Sequence, residues 1–234
     1  MSKLIFQCIN CDKMSSFTEQ EDAMTGILKR VTSSLQNLRR QFGMSENGEE
    51  LPVFSVLILG DAHVGKYALY NALTRKLNHN ELGPRPDQVE TSTSVYDCGE
   101  VISTLLFKYI NTAKKSYFLT KATTQAMKEA DGFILCFSLL DKQSFTALDS
   151  QINSLRESTH MKDKTVVLVG CRADEQPHEV SREEISQYTE SIRQRGWRCK
   201  YLETSAYQHQ NVDKVEEIFV QQCKERRLDG IMQG

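Results

Sequence analysis

The sequence has almost no excess of charge: 29 Lys and Arg against 31 Asp and Glu give a net −2 over 234 residues. That removes any general electrostatic drive toward nucleic acid or anionic membrane, so no nucleic-acid partner is expected. No apolar run approaches the length of a membrane span, and "MSKLIFQCIN" at the N-terminus lacks the apolar core of a signal peptide. The seven cysteines are odd in number and scattered, which argues against a disulfide framework and for a reducing, cytoplasmic setting. Cys8 and Cys11 form one CxxC pair, but no second pair completes a zinc knuckle. His79, His160, His178 and His209 lie in polar stretches without ligand spacing. Neither "MSKL" nor the C-terminal "KERRLDGIMQG" carries a lipidation signal, so no lipid anchor is expected, and any membrane visit would be peripheral, through a partner or the N-terminal helix.

What is present divides by composition. Residues 1–17 show no clear period. From Thr18 to Phe42, Met24, Leu28, Val31, Leu35, Leu38 and Phe42 recur in steps of four and three, the spacing of an amphipathic heptad helix. Thr18 and Glu21 read as its capping box, and Lys29, Arg30, Arg39 and Arg40 fill its later turns as the helix dipole prefers. Its apolar seam needs a cover: the rest of the chain, a partner helix or a second copy by self-association. Membrane binding is the weakest choice, because bulky aromatics are scarce there. The polar stretch "GMSENGEELP", Gly43 to Pro52, then acts as a linker. Two parts follow: an N-terminal extension over 1–51 and a domain over 52–234.

In the second part apolar runs alternate with helical periods. "VFSVLIL", "GFILCFSL", "KTVVLVG" and "KYLET" read as strands, and "VYDCGEVISTLLFKYIN" as two strands turning near Gly99. "YALYNALTRKL", "SFTALDSQINSLRES", "SREEISQYTESIRQRG" and "VDKVEEIFVQQCKERR" read as helices. That alternation predicts an α/β domain with a mostly parallel sheet covered on both faces, which binds ligands at the carboxyl ends of its strands.

The loop after the first strand is "GDAHVGKY", comprising Gly60, Asp61, Ala62, His63, Val64, Gly65, Lys66 and Tyr67. It meets the pattern GxxxxGK[ST] at every position but the last. Glycines let such a backbone curl so that N–H groups face phosphate oxygens, the following helix adds its positive end, and Lys66 supplies a full charge. His63 faces either a phosphate or water. Tyr67 stands where a small hydroxyl would reach magnesium.

The segments "LILGDAHVGKYALYNAL", "ADGFILCFSLLDKQSF", "KTVVLVGCRAD" and "LETSAY" resemble, in order and spacing, the Ras superfamily of small GTPases, closest to its Rab and Ras branches. The resemblance runs from about Phe54 to Arg227. It implies a three-layer domain with a six-stranded sheet, GTP or GDP as ligand, and protein effectors or regulators as partners. It further implies that Cys171, Arg172 and Asp174 stand in the base-reading motif, where the Asp174 carboxylate would accept the guanine N–H donors and Arg172 would lie against the base. Ser205 and Ala206 occupy the final nucleotide motif, with Tyr207 in place of its lysine. The metal and water motif is met by Asn111, Thr112, Ala113, Lys114 and Lys115. There Asn111 replaces the aspartate that holds the metal's water, Lys114 the glycine at the terminal phosphate, and Lys115 the water-orienting glutamine. Ala62 adds bulk where many relatives keep glycine. Thr91 and Thr93, in the segment "TRKLNHNELGPRPDQVETSTS" that reads as a long polar loop, are candidates to close over a metal.

With those substitutions magnesium is in doubt and efficient intrinsic hydrolysis is not expected. The resemblance therefore implies a divergent small GTPase, a guanine-nucleotide-binding regulator with weak or absent hydrolysis. The alternative is a pseudo-GTPase scaffold that binds no nucleotide. Hydrolysis rescued by a partner's arginine stays open, since such fingers act in trans. Lys114 and Lys115 also raise the possibility of positive charge standing in for the metal.

Overall fold

The computed structural model describes residues 52–74, 89–97, 102–110, 121–158 and 164–232. All lie in the second of the two units into which the chain divides, Pro52–Gly234. The expected heptad helix over 18–42, the linker, Asn111, Lys114 and Lys115 lie outside the described residues.

Six strands form a single sheet: β1 (Val53–Gly60), β2 (Val89–Asp97), β3 (Ile102–Ile110), β4 (Gly132–Ser138), β5 (Thr165–Cys171) and β6 (Arg198–Thr204). Their order is β2-β3-β1-β4-β5-β6. Only β2 runs antiparallel, paired with β3 from Val89 opposite Ile110 to Asp97 opposite Ile102. The parallel registers bring Val56 of β1 beside both Phe107 of β3 and Gly132 of β4. The helices are α1 (Lys66–Leu73), α2 (Lys121–Glu129), α3 (Lys142–Thr146), α4 (Leu148–Ser158), α5 (Arg182–Gln194) and α6 (Val212–Met232).

The central strands read as continuous apolar runs because helices cover both faces. Side chains still alternate. Leu57 and Leu59 of β1, Phe133, Leu135 and Phe137 of β4, and Val166 and Leu168 of β5 enter one core with α2, α4 and α5. Phe54, Val56 and Ile58, Ile134 and Cys136, and Val167, Val169 and Cys171 enter the other, with α1 and α6. At about 25 cal/mol per Å² of apolar surface, these two layers are the main stabilising term.

The amino ends of the strands are tied together around Asp131, just before β4. Its carboxylate accepts the Ser55 N–H at 2.8 Å, and its own N–H donates to the Ser55 carbonyl at 2.7 Å. From α6, Arg226 donates to the Asp131 carbonyl at 2.8 Å and to its Oδ1 at 3.0 Å. Charged donors and acceptors make these among the stronger bonds of the fold. The opposite rim is free to carry loops.

The architecture agrees with the expected mostly parallel six-stranded α/β fold, with differences in detail. "VETSTS" is not loop but the first part of β2, where it forms the sheet's edge. Its β-branched threonines suit an edge strand that is half-exposed, a pattern without apolar signal. Helix α2 was not foreseen: of "KATTQAMKE", the side chains of Thr123, Ala126 and Met127 are buried. The expected single helix after β4 is two, α3 and α4, separated at Ala147.

Candidate functional site

The loop between β1 and α1 closes over the carboxyl end of the sheet. At Gly60 a Cβ would lie 2.5 Å from the Cys136 carbonyl oxygen and 3.1 Å from Val64 Cγ2, so only glycine lets the chain leave β1 so near β4. Gly65 adopts φ +101° as the N-cap of α1, a left-handed conformation that side chains rarely take. His63 is also left-handed, at φ 59°, with its side chain exposed. Between them Val64 is buried and pins the loop to the core of α1 and α6. The curl expected from the sequence is therefore present. No side chain caps α1, and its first turn holds no acidic residue.

Lys66, the first residue of α1, is only 4% exposed. Its Nζ donates to the Asp61 carbonyl at 2.7 Å, which points the ammonium back into the curl. Burial lowers its pKa, while Cys136, Asp61 and Cys171 pull in the opposite direction. Burial also holds the Cys136 thiol well above its ordinary value, hence neutral, so the Asp61 carboxylate is the effective counter-charge. That carboxylate accepts the Ala62 N–H at 2.8 Å. The loop thus holds a partly desolvated cation whose charge a bound anion would restore to comfort.

Tyr67 does not project into the loop as a short hydroxyl would. Its ring packs 5.1 Å from Tyr109 at the end of β3 and 6.1 Å from Tyr70 one turn on, and the Tyr70 and Tyr109 rings are 5.4 Å apart. The three rings extend the core between β1, β3 and α1. Burial, then the neighbouring Tyr67, pushes the Tyr109 phenol far up, so it stays protonated. A side chain held by two aromatic contacts offers no ligand where the family places its magnesium hydroxyl. Thr91 stands inside β2, exposed and opposite Lys108, and Thr93 is likewise an exposed strand residue opposite Leu106. Among the described residues no group of three or more His, Cys, Asp or Glu side chains could hold a metal ion. At the described position where a short hydroxyl would meet a divalent cation, Tyr67 instead presents a ring packed on Tyr70 and Tyr109.

The base-side loop follows β5 on the same rim. Cys171 is buried, and a Cβ on Gly65 would lie 3.2 Å from its own Cβ, so the two loops touch. Arg172 is exposed and left-handed at φ 64°; its Nη2 donates to the His63 carbonyl at 3.2 Å, while Nε lies 4.0 Å from Glu175. Asp174 is half-buried and makes no hydrogen bond or ion pair among the described residues, which leaves its carboxylate available.

The loop after β6 completes the rim. Ser205 is buried; its Oγ accepts the Gln208 N–H at 3.0 Å, and it exchanges two backbone bonds with Gln210. The Ala173 N–H donates to the Thr204 carbonyl at 3.0 Å, fixing this loop to the preceding one, and Asn211 Nδ2 donates to the Glu203 carbonyl at 2.9 Å. Ala206 is half-buried, and Tyr207 beside it is 92% exposed. The structure thus brings Gly60 to Tyr67, Cys171 to Asp174, and Ser205 and Ala206 to one rim. It does not bring Thr91 there. Tyr70, Tyr109 and Cys136 shape the site without having been foreseen. The three-residue spacing of Tyr67 and Tyr70 was the one available signal, since it puts both rings on one side of a helix.

A curled phosphate loop joined to a base-side loop, on a sheet of this order, defines a phosphate-loop α/β domain of the small-GTPase class. The chain belongs to the Ras family, whose model matches residues 55–225. It is 28% identical over 181 residues to GTP-binding protein REM 2 of Rattus norvegicus, covering 76% of this chain and 50% of that protein. GTP-binding protein RAD of Mus musculus is 29% identical over 186 residues, covering 77% and 56% respectively. Ras-related protein Rab-27B of Rattus norvegicus is 28% identical over 177 residues, covering 72% and 78%. The chain thus spans about half the length of its REM 2 and RAD relatives.

Proposed function

We propose that this chain is a guanine-nucleotide-binding regulatory protein with weak or absent intrinsic hydrolysis, acting by presenting its surface to protein effectors or regulators. The observation that carries the reading is the join between loops: the buried Lys66 faces a curled backbone whose His63 carbonyl is held by Arg172, two residues before the available Asp174. Phosphates would be held by the loop N–H groups and Lys66, and guanine by Asp174 with the Arg172 stem beneath it. The names of the relatives REM 2 and RAD, both GTP-binding proteins, support the same ligand. Weak hydrolysis rests on Tyr67, which supplies no cation ligand, together with Asn111 and Lys115 in the sequence. A cytoplasmic setting, with the heptad stretch 18–42 serving a helical partner, belongs to the same reading.

The test is direct. Heating freshly purified protein and identifying the released nucleotide should yield guanosine phosphates. Preparations that are empty, and that fail to take up a fluorescent GDP analogue, overturn the reading in favour of the scaffold alternative. That alternative draws on the same tyrosine packing, which would make the loop a structural remnant.

A further inference from the structure

We propose that Tyr207 is the stacking residue of the base-side rim, its ring lying against the guanine of a bound nucleotide; this rests on the nucleotide reading above. The first ground is the exposure of the ring. Val53 and Tyr207 are the large hydrophobic side chains left exposed among the described residues, and Tyr207, at 92%, is the one on the ligand rim. No hydrogen bond or ring contact holds it among the described residues. Its backbone, by contrast, is fixed. The Gln208 N–H donates to Ser205 Oγ at 3.0 Å, Ser205 and Gln210 exchange backbone bonds, and His209 closes the turn at φ 56°. A rigid turn that carries an uncovered ring offers an aromatic face at little entropic cost, because only the side-chain torsions remain to be ordered.

The second ground is where that turn is tied. The Ala173 N–H donates to the Thr204 carbonyl at 3.0 Å, so the segment leading into Tyr207 is bonded to the residue between Arg172 and Asp174. The Arg172 guanidinium is engaged at Nη2 by the His63 carbonyl and lies 4.0 Å from Glu175 at Nε, yet the side chain stays nearly half exposed. A planar base whose edge is read by Asp174 then has flat partners on two adjoining loops, the guanidinium and the phenol ring. Stacking accepts any base, because each has a π-face. Tyr207 therefore adds affinity without selectivity, and the choice among purines stays with Asp174.

The experiment uses the full chain and a ribose-labelled fluorescent GDP analogue, displaced by unlabelled GDP and by inosine diphosphate, which lacks the 2-amino group. Tyr207→Ala should weaken GDP by at least about fivefold, and inosine diphosphate by the same factor within about threefold. Tyr207→Phe, which keeps the ring, should bind GDP within about twofold of wild type, whereas Tyr207→Leu, apolar but without a π-face, should resemble the alanine variant. The melting temperature of each nucleotide-free variant should move by less than about 2 °C, as suits an exposed side chain. A smaller loss of GDP affinity in Tyr207→Ala overturns the proposal and leaves the ring as a contact for a protein partner. Full recovery by leucine, a shifted ratio of GDP to inosine diphosphate or a larger fall in melting temperature overturns it as well. The ring would then act by bulk, by its hydroxyl or by holding the turn. These outcomes leave the guanine-nucleotide reading standing; failure of the analogue to bind the wild-type chain sinks both.

Discussion

Lys66→Met separates what the fold wants from what the ligand needs. The side chain is 4% exposed, its charge is disfavoured by burial, and its hydrogen bond is to one backbone carbonyl. Methionine has nearly the same length and no charge to desolvate. Relief of the desolvated charge is offset by the loss of its hydrogen bond and of its attraction to the Asp61 carboxylate, so the unliganded variant should lie within about 1 kcal/mol of wild type. In a domain of this size that is a Tm shift of no more than roughly 2–4 °C. The same substitution removes a charged hydrogen bond to phosphate worth about 1.5–3 kcal/mol, or roughly 10- to 150-fold in Kd. The pH dependence supplies an internal control. Because folding depresses the lysine pKa, the unfolded wild type holds the proton more tightly between that depressed value and the ordinary 10.5. Wild-type stability from this group therefore rises with pH across that window, and the stability of the variant relative to wild type should fall toward pH 10.5. Denaturant melts of nucleotide-free protein at several pH values, with GDP-analogue titrations alongside, measure both effects. A variant less stable than wild type by more than about 1 kcal/mol, or one that binds the analogue unchanged, refutes the account of Lys66 as a strained ligand group.

Gly65→Ala forces a side chain into φ +101° and sets a Cβ 3.2 Å from that of Cys171; circular-dichroism melts should show a loss of about 1–2 kcal/mol, with nucleotide affinity falling in parallel. Arg226→Met removes two charged hydrogen bonds from Asp131 and should lower stability by about 1.5–3 kcal/mol while leaving nucleotide affinity within about twofold, which urea melts and titration together would establish. Ser181→Ala breaks the capping box of α5, where Ser181 and Glu184 exchange hydrogen bonds, and should cost about 1 kcal/mol in the same melts. Glu184, held at a pKa of about 2 chiefly by Lys142 and then by Ser181, is depressed below its ordinary 4.5; its contribution should be present above that value and lost as pH falls toward 2.

Sequence pattern exposed those parts of the fold whose physics is written in local contrast. β1, β4 and β5 are near-continuous apolar runs because both faces are covered, and Gly60, Gly65 and Lys66 sit where a curled backbone demands them. The first part of β2 escaped, although its end at Val95 reads as a strand, because its signal is the shape of Thr91 and Thr93 rather than hydrophobicity, and because an edge strand needs only one neighbour. α2 escaped for another reason: its buried stripe, Thr123, Ala126 and Met127 with Ala130 just beyond, has helical spacing but is short and made largely of small or polar side chains, so it carries little apolar contrast. At the site, the identity of Tyr67 was visible but its direction was not. That direction is set by Tyr109, 42 positions away in the chain, and by which face of β3 carries it. Contacts of that range leave no periodic trace. The link from Arg172 to the His63 carbonyl is likewise a product of tertiary closure.

The bolt formed by Asp131, Ser55 and Arg226 carries a mechanical consequence. It clamps β1, the approach to β4 and the last helix at one pole, so those elements share a fixed fulcrum. On the proposed function, filling or emptying a nucleotide site at the other pole would have little leverage on the base of the domain, and whatever a partner senses would be sensed at the ligand-bearing rim.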